Sequence, residues 1–394
     1  MPVIPHITRR AVAGLALAIA LTGAAACGGD SDDAESSPTT ASPSESSPSE
    51  SSPSESSPSV ETTSPPSTTI TATTAAPTSA PSASTTQAAA DDENPSATTA
   101  TTSAAPVFPR TVEDALGTVE IDIAPQTVVV LDQSLLDAAF ALGLDVAGYT
   151  TFMDPDGQID DLYGDARDEY AATAEWVGDL TSPNLERIAQ IGPDMILTSA
   201  VRHQDIRAEL SAIAPTIMSE SAGAGWKDTI RLVGDATGRE AQAEAALADY
   251  EARAAALGEQ IAAAAGEPEV SVVRFVDVIR LYNPLSFSGT VLTDVGLARP
   301  ETQRSTDDFI TIISPEQIDQ ADGDVLIYSV FDNPEVEDGV DQLLSNPLWE
   351  TLGAVQNGEV YRVADNEWMS GVGLFGAEAI LRDLADIFGV DASS

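Results

Sequence analysis

Aromatic and arginine side chains follow several predicted strands of this chain, and they are the residues best suited to hold a ligand. Tyr149 and Phe152 follow one strand, and Arg202 and His203 follow another. In open α/β sheets, ligands bind beyond the carboxyl ends of the strands. Aromatic faces and arginine forks together suit a ligand with anionic oxygens. The ligand-binding residues predicted on this ground are Tyr149, Phe152, Arg202, His203, Arg280, Tyr282 and Trp368.

Each of these residues also has a purely structural alternative. Trp and Tyr lie more often in a core or at its rim than against a ligand, and arginines often cap helices or stay solvated. Arg274 lies within an apolar strand whose alternation does not decide its face, so it is left outside the predicted set. Trp226 and Trp349 fall on helix faces and are predicted to be packing residues.

Motifs of enzyme chemistry are missing from the sequence, which has neither a G-x-S-x-G elbow nor a P-loop. One G-x-G-x-x-G occurs at Gly371, Gly373 and Gly376. A dinucleotide site needs this motif in an initial βαβ unit, with an acidic residue about twenty positions further on. Because the chain ends soon after, no nucleotide is expected. The glycines are expected instead to let the backbone approach the cleft, with helix amides facing the ligand.

The sequence also has few side chains of the types that bind metal ions directly. His203 is the single histidine after the N-terminal leader, and Cys27 is the single cysteine. Zinc and manganese sites typically need several imidazoles or a cluster of histidine and carboxylates. The sequence therefore predicts no metal site and no resident cofactor.

The elements that must position these residues alternate between short aliphatic runs and helical patterns, which is typical of parallel βαβ construction. Thr127 to Leu131 predicts the first strand, and Asp132 caps the helix that follows it. Val146 to Tyr149 begins the next strand. In a second unit, Asn184 caps a helix that leads into the strand Met195 to Thr198.

A long Ala-rich stretch from Arg239 to Ala265 has no strand pattern and predicts one helix with a single apolar stripe. Strand patterns then resume at Val270 to Val278, Asp324 to Val330 and Val360 to Val363, before a final helix from Ala377 to Phe388. The predicted fold class is therefore α/β, with two lobes of mostly parallel sheet, one long helix joining them and a ligand cleft between them. Because a helix resists bending more than paired strands do, only a small closure on binding is predicted.

The N-terminal segment predicts export. Met1 to Ala26 has a basic start and an apolar run about half the ~20 residues that a spanning helix needs. Cys27, followed by two glycines and an aspartate, resembles the lipobox of bacterial lipoproteins, although Ala24 stands where Leu is usual. Cys27 is therefore the predicted lipid attachment site, on the outer face of the cytoplasmic membrane. A plain secretory signal with an incidental cysteine is the alternative.

The composition of the rest of the chain separates a low-complexity segment from the segments that can fold. Residues 28–106 are almost wholly Ser, Thr, Pro, Ala and acidic residues, which cannot form a core and predict a disordered tether. The predicted segments are a leader at 1–27, the tether at 28–106, a first lobe at 107–224, a helical linker at 225–266 and a second lobe at 267–394.

The charge of the chain excludes one class of partner. It carries 63 acidic against 17 basic residues, and Lys227 is its only lysine. Nucleic acid is excluded as a partner on this ground. A monomer is expected.

Six segments, taken in order, resemble the substrate-binding proteins of ABC importers for iron siderophores, cobalamin and haem. Each is weakly specific alone, but the ordered set spans nearly all of Val107 to Gly389. The segments are NLERIAQIGPDMIL (Asn184 to Leu197), LSAIAPTI (Leu210 to Ile217), the helix with GDATGRE, FSGTVLTDVGLARP (Phe287 to Pro300), ISPEQI (Ile313 to Ile318) and NPLWETLGAVQNGEVYRV (Asn346 to Val363).

This resemblance implies a non-catalytic receptor that binds a ferric siderophore and delivers it to an ABC permease. Trp176 stands where relatives commonly carry a pocket aromatic, so it joins the ligand-binding set. Glu186 and Glu316 match the glutamates, one per lobe, that dock into permease arginines in relatives. Both glutamates also fit a purely structural role, because a glutamate in the first turn of a helix interacts favourably with the helix dipole.

The identity of the ligand stays open at this point. A siderophore's own oxygen donors saturate the iron, so iron would arrive only as the complex. The overall acidity favours a ligand of low net charge, such as a ferric hydroxamate, although Arg202 and Arg280 suit an anion. Cobalamin or haem is the alternative within the family. A cell-surface enzyme or wall-interaction module is the alternative outside it, since a fold does not fix a function.

Overall fold

The computed structural model describes residues 106–152, 156–220 and 223–391. The predicted leader, the lipid attachment site at Cys27 and residues 28–105 of the tether lie outside the described residues. No helix in the described part of the chain has the length and apolar character needed to cross a membrane.

The first lobe contains an antiparallel hairpin and a six-stranded sheet in the order β6-β5-β4-β3-β7-β8, in which only β5 and β6 pair antiparallel. Its strands are β1 (Arg110–Asp114), β2 (Gly117–Ile121), β3 (Val128–Val130), β4 (Val146–Thr151), β5 (Glu175–Asp179), β6 (Ser182–Pro183), β7 (Met195–Ser199) and β8 (Thr216–Ser219). Its helices are α1 (Gln133–Ala141), α2 (Gly164–Tyr170), α3 (Leu185–Ile191), α4 (Ala200–His203) and α5 (Arg207–Ser211).

The predicted caps of the first lobe are present. The Asp132 carboxylate accepts a hydrogen bond from the Ser134 amide at 2.9 Å, and the Asn184 side chain accepts one from the Arg187 amide at 3.0 Å. Each cap pairs an amide that the first helical turn cannot satisfy. Both caps fix the point where the chain leaves a sheet edge and turns into a helix.

Two helices join the lobes: α6 (Trp226–Thr237) and α7 (Glu240–Ala265). The predicted long helix is confirmed as α7, and its apolar stripe of Leu247, Tyr250, Ala254, Leu257 and Ile261 is buried throughout. Gly238 separates the two helices in the left-handed conformation at φ 73°, which favours glycine. The linker therefore lies on the body of the molecule along its whole length.

The second lobe is built on a five-stranded sheet in the order β11-β10-β9-β12-β13, with β10 antiparallel to both its neighbours and β9-β12-β13 parallel. The strands are β9 (Val270–Phe275), β10 (Ile279–Tyr282), β11 (Ile310–Ile313), β12 (Val325–Val330) and β13 (Val360–Arg362). The helices are α8 (Phe287–Val295), α9 (Pro334–Leu344), α10 (Gly353–Asn357) and α11 (Leu374–Phe388).

The α/β fold class with two lobes is confirmed, with local differences. The single strand predicted from Val270 to Val278 ends at Phe275, and the chain folds back as β10. One hydrophobic cluster runs through both lobes and includes Val128 from the first sheet, Tyr250 from α7 and Val272 from the second. Because this core is continuous, the two lobes pack as neighbours rather than as independent domains.

Candidate ligand-binding cleft

Segments that follow strands of the two sheets meet at a hydrogen bond between the lobes. Asp160 follows β4 of the first sheet, and Asn366 follows β13 of the second. The Asn366 amide nitrogen donates to the Asp160 carboxylate, with Nδ2–Oδ1 and Nδ2–Oδ2 distances of 2.9 and 3.2 Å. Ligands of open α/β sheets bind beyond the carboxyl ends of the strands. The space between these segments is therefore the candidate cleft.

On the first-lobe wall, Arg202 lies between an aromatic ring and a buried carboxylate. Its guanidinium is 6.0 Å from the centroid of Phe152, and its Nε is 4.0 Å from Asp132 Oδ2. Asp132 is itself held by the Ser134 and Ser199 hydroxyls, each at 2.7 Å. Since 40% of the Arg202 side chain is exposed and its ion pair is long, its donors are available to a ligand.

A cavity of about 430 Å³ adjoins this wall. Phe152 and Asp160 line it, and so does Arg167, which is held by Asp161 at 2.6 Å. This volume lies within the range of sites for small ligands, about 300–1,000 Å³. Its lining residues are Gln133, Leu136, Thr150, Thr151, Phe152, Gln158, Ile159, Asp160, Asp161, Tyr163 and Arg167.

Two predicted aromatics support the cavity from behind. Trp176 is half-buried, and its Nε1 donates to Thr151 Oγ1 at 3.0 Å. The Tyr149 hydroxyl donates to the Gly157 carbonyl at 2.8 Å. A Cβ at Gly157 would lie 2.7 Å from the Trp176 ring, so the glycine lets the loop after β4 rest on the indole. Both aromatics therefore position the lining residues.

On the second-lobe wall, Arg274 is the centre of a polar cluster. It pairs with Asp365 through two bonds, Nε–Oδ1 at 2.8 Å and Nη2–Oδ2 at 2.6 Å, and its guanidinium is 5.5 Å from the Phe331 ring centroid. Its Nη1 donates to the Tyr282 hydroxyl at 3.3 Å. Sequence reasoning left Arg274 out and missed Asp365. Asp365 lies three residues after the parallel strand β13, and that position was the signal available in the sequence.

Arg280 lies beside this cluster. It is paired in register with Arg274 across β9 and β10, so both side chains lie on the same face of the sheet. Its Nη2 is 3.6 Å from Asp277, and its buried Nε has no hydrogen-bond partner among the described residues. A buried donor without a partner costs about 1–3 kcal/mol. A ligand oxygen at this position would relieve that cost.

Three predicted ligand-binding residues are buried instead of lying at the cleft surface. Trp368 is fully buried, and its Nε1 donates to Asp383 at 2.8 Å. His203 is 2% exposed, with Nδ1 2.5 Å from Thr198 Oγ1 and Nε2 2.8 Å from the Leu180 carbonyl. Tyr282 is also buried, apart from its contact with Arg274. His203 and Trp368 do follow strands, but the short helices that carry them turn their side chains inward, and Tyr282 is the last residue of β10.

The buried histidine predicts a pH effect on stability. Leu180 offers only an acceptor, so Nε2 carries the proton and Nδ1 accepts from Thr198, which is the neutral form. Burial lowers the pKa of His203 below its ordinary value of 6.5. Below about pH 6.5, the histidine of the unfolded chain binds a proton that the buried imidazole of the folded chain does not. The stabilisation that His203 contributes above that pH is therefore lost as the pH falls towards the lowered pKa.

The measurement is chemical unfolding of the parent and of His203→Gln at about pH 7.5 and about pH 5. The parent should lose more free energy of unfolding on acidification than the variant does. Equal losses in the two proteins would contradict the assignment of a neutral histidine.

The two predicted docking glutamates are exposed, one on each lobe. Glu186 lies in the first turn of α3, and Glu316 lies in the first turn of the 3₁₀-helix Pro315–Ala321. A hydrogen bond from the Ser314 hydroxyl lowers the pKa of Glu316, which keeps it ionised. Both carboxylates are therefore accessible to a positively charged partner.

Within the described ranges, no group of three or more His, Cys, Asp or Glu side chains is arranged to hold a metal ion. The first-lobe wall offers Arg202 beside Phe152 and a cavity of small-ligand size, and the second-lobe wall offers Arg274 beside Phe331. A cleft of this kind, between two lobes joined by the helices α6 and α7, is typical of a substrate-binding protein.

The chain belongs to the periplasmic binding protein family, whose model matches residues 128–367. It is 34% identical over 290 residues to the probable siderophore-binding lipoprotein YfiY of Bacillus subtilis (strain 168), covering 71% of this chain and 87% of the relative. It is 32% identical over 272 residues to the achromobactin-binding periplasmic protein of Dickeya dadantii (strain 3937), covering 68% and 87%.

A solved structure gives the same result. The crystal structure of Staphylococcus aureus SirA complexed with staphyloferrin B superposes with a TM-score of 0.64 at 28% identity, covering 72% of this chain and 100% of that one. The predicted family is thus confirmed. The family and these relatives are substrate-binding transport proteins, which confirms the prediction that the chain is not an enzyme.

Proposed function

We propose that this chain is an extracytoplasmic receptor that binds a ferric siderophore in the cleft between its lobes and delivers it to an ABC importer. The observation that carries the proposal is the pair of facing walls, each with an arginine beside an aromatic ring. The names of the relatives, which specify siderophores, support the same ligand class. Iron enters as a complex saturated by its own donors, so the protein needs no metal ligands and no resident cofactor.

Local charge favours an anionic complex over the ligand of low net charge that overall acidity suggests. Among the described residues, the ion pairs of Arg202 and Arg280 are long, at 4.0 and 3.6 Å, and the two arginines belong to different lobes. Each can still donate to a carboxylate or catecholate oxygen. A receptor for an anionic ligand does not need a positive net charge, because the two guanidinium groups contact the ligand directly.

Tryptophan fluorescence tests this function. Trp226, Trp349 and Trp368 are buried in the core, whereas Trp176 is half-buried behind the cavity. The full chain with Cys27→Ala is titrated with ferric citrate, ferric catecholate, ferric hydroxamate, cobalamin and haem. We expect saturable quenching by one ferric chelate, and Trp176→Phe should remove most of that signal. A saturable response only to cobalamin or haem, or to none of the five, would refute the siderophore function.

The proposed location and partner extend beyond the binding step. Members of this family work outside the cytoplasm, and a lipid on Cys27 would hold this chain at the membrane beside its permease. We propose that the chain acts there as a monomer, with one carboxylate of each lobe docking on the permease. The exposed positions of Glu186 and Glu316 support this arrangement.

Charge reversal tests the docking. Glu186→Arg or Glu316→Arg should lower uptake of radioactive ferric siderophore by more than about tenfold, because the loss of an interfacial charge pair costs about 2–5 kcal/mol. Ligand affinity should stay unchanged, since neither residue lies at the cleft. Uptake is measured in cells whose only receptor of this class is the variant.

Glu209→Arg is the matched control, because Glu209 is an exposed first-turn glutamate of α5 in the first lobe. This variant should support uptake at the parent rate. If Glu186→Arg also does so, the docking role of that residue is refuted.

A further inference from the structure

The glycine motif near the C-terminus serves a contact between the lobes. The amides at the start of α11 were expected to face the ligand, but those of Leu374 and Phe375 donate to the carboxylate of Asp137, at 2.5 and 3.1 Å. Asp137 lies on α1 of the first lobe and is fully buried. The N-cap residue of α11 is Gly373, which has no side chain to cap the helix. The first lobe therefore supplies the cap that the second lobe lacks.

The three glycines make this approach possible. Gly373 has a φ of 154°, and a Cβ on it would overlap the Asp137 carboxylate. A Cβ on Gly371 would lie 2.6 Å from the Leu162 side chain of the first lobe. A Cβ on Gly376 would overlap the Gly371 carbonyl oxygen. A side chain at Gly373 or Gly371 would push this segment away from the first lobe, whereas one at Gly376 would disturb the packing of α11 on the preceding turn of the second lobe. The motif is therefore explained by packing.

Further contacts extend the joint to the edge of the cleft. The Tyr163 ring packs edge-on against Phe375, with centroids 5.5 Å apart, and against Phe140 of α1 at 5.2 Å. Tyr163 and Asp160 both line the cavity, and Asp160 accepts the hydrogen bond from Asn366. We call the contacts of Asp137, Asp160 and Tyr163 with the segment from Asn366 to Phe375 the interlobe joint. It lies beside the ligand site, whereas α7 joins the lobes elsewhere.

The chemistry of the joint favours a fixed geometry. A buried carboxyl group is costly unless it is hydrogen-bonded, and the amides of Leu374 and Phe375 supply hydrogen bonds to Asp137. Separation of the lobes at this point would leave the carboxyl group and both amides without their partners. These hydrogen bonds therefore favour the closed joint in the free protein.

We propose that Asp137 is a positioning residue that holds the two ligand-bearing walls at a fixed separation by capping α11 across the lobes. The inference rests on the proposed function for its effect on affinity, but its structural part does not. With two fixed connections, α7 and the interlobe joint, the cleft is formed before the ligand arrives. Binding then costs little ordering, and the small predicted closure follows.

The test measures the distance between lobes in the full chain. With Cys27→Ala as the parent, nitroxide labels are attached at Ala208→Cys on α5 and Asp338→Cys on α9, both of them exposed positions. Pulsed electron resonance then gives the distribution of distances in the free protein. Asp137→Asn keeps the shape but turns an amide donor towards a helix amide, so it should broaden this distribution. If about a tenth of the molecules keep the competent separation, the affinity for the ferric chelate falls about tenfold.

Asp383→Asn is the control, because Asp383 lies on the same helix α11 but accepts from Trp368 within the second lobe. It should leave the distance distribution narrow, whatever it does to stability. Should Asp137→Asn fail to fold, Leu374→Pro removes one amide donor and leaves Asp137 in place. Proline is well tolerated at the first position of a helix.

The outcomes separate the two proposals. A narrow, unchanged distance distribution in a folded Asp137→Asn or Leu374→Pro protein would overturn the positioning role. A parent protein that binds none of the ferric chelates would refute the proposed function and leave the distance measurement decisive for the joint. Broadening in the Asp137 variant but not in the Asp383 variant supports the inference.

Discussion

Replacement of both Arg202 and Arg280 by glutamine should weaken ferric siderophore binding by about 100-fold or more. Each arginine can donate a charge-assisted hydrogen bond, worth about 1.5–3 kcal/mol, and two such bonds correspond to at least two decades of affinity. The two residues lie on opposite walls of the cleft, and their present ion pairs are long. The measurement is a fluorescence titration with the ferric chelate that the parent binds.

The matched control is the double variant Arg231→Gln with Arg304→Gln. It removes the same charge, but Arg231 lies on α6 and Arg304 pairs with Glu269, just before β9 and so at the opposite edge of the second sheet. The control should bind within about twofold of the parent, because screening makes distant surface charges weak contributors. If the cleft variant also binds within about threefold, neither arginine contributes a net hydrogen bond to the ligand.

Gly258→Ala should lower the free energy of unfolding by about 3 kcal/mol, although alanine is the better helix former. A Cβ at Gly258 would overlap the carbonyl oxygen of Val295, at the end of α8. The clash is with backbone, so no side-chain rotation relieves it. The linker helix would have to move away from the second lobe and lose part of the buried stripe.

Gly339→Ala should change the free energy of unfolding in the opposite direction, and it is measured in the same experiment. Gly339 lies inside α9, and a Cβ there meets nothing within 4 Å. Alanine at this position should raise the free energy of unfolding by about 0.5–1 kcal/mol. Denaturant unfolding followed by circular dichroism measures both variants. Equal stability of Gly258→Ala and Gly339→Ala would contradict the close packing of α7 against α8.

The interlobe joint and Gly258 explain together why large closure is not expected of this receptor. α7 is tied to the second lobe by close backbone contact, and Asp137 ties the first lobe to α11. The hydrophobic core continues between these two points. Any wide opening would have to break buried polar contacts and expose apolar surface at once. Ligand specificity therefore depends on side chains placed on two nearly fixed walls.

The sequence predicted the elements that follow local rules. The strands at Thr127 to Leu131 and Met195 to Thr198, the caps at Asp132 and Asn184, and the long helix were all readable, because periodicity and capping act within a few residues. Elements with weaker patterns were missed. The β1–β2 hairpin is half-exposed and has few buried residues, so it carries little hydrophobic signal.

The sequence also determined the family, the two lobes and the position of ligand-binding candidates at strand ends. Tertiary structure alone decided which candidates reach the cleft. Phe152 lines the cavity and Arg202 lies against its ring, whereas His203 and Trp368 turn into the core, because the direction of a side chain after a strand depends on partners distant in sequence. The glycine motif is the clearest case. The motif allows Asp137 to accept a hydrogen bond from Leu374, which is 237 residues away along the chain, and only folding brings the two together.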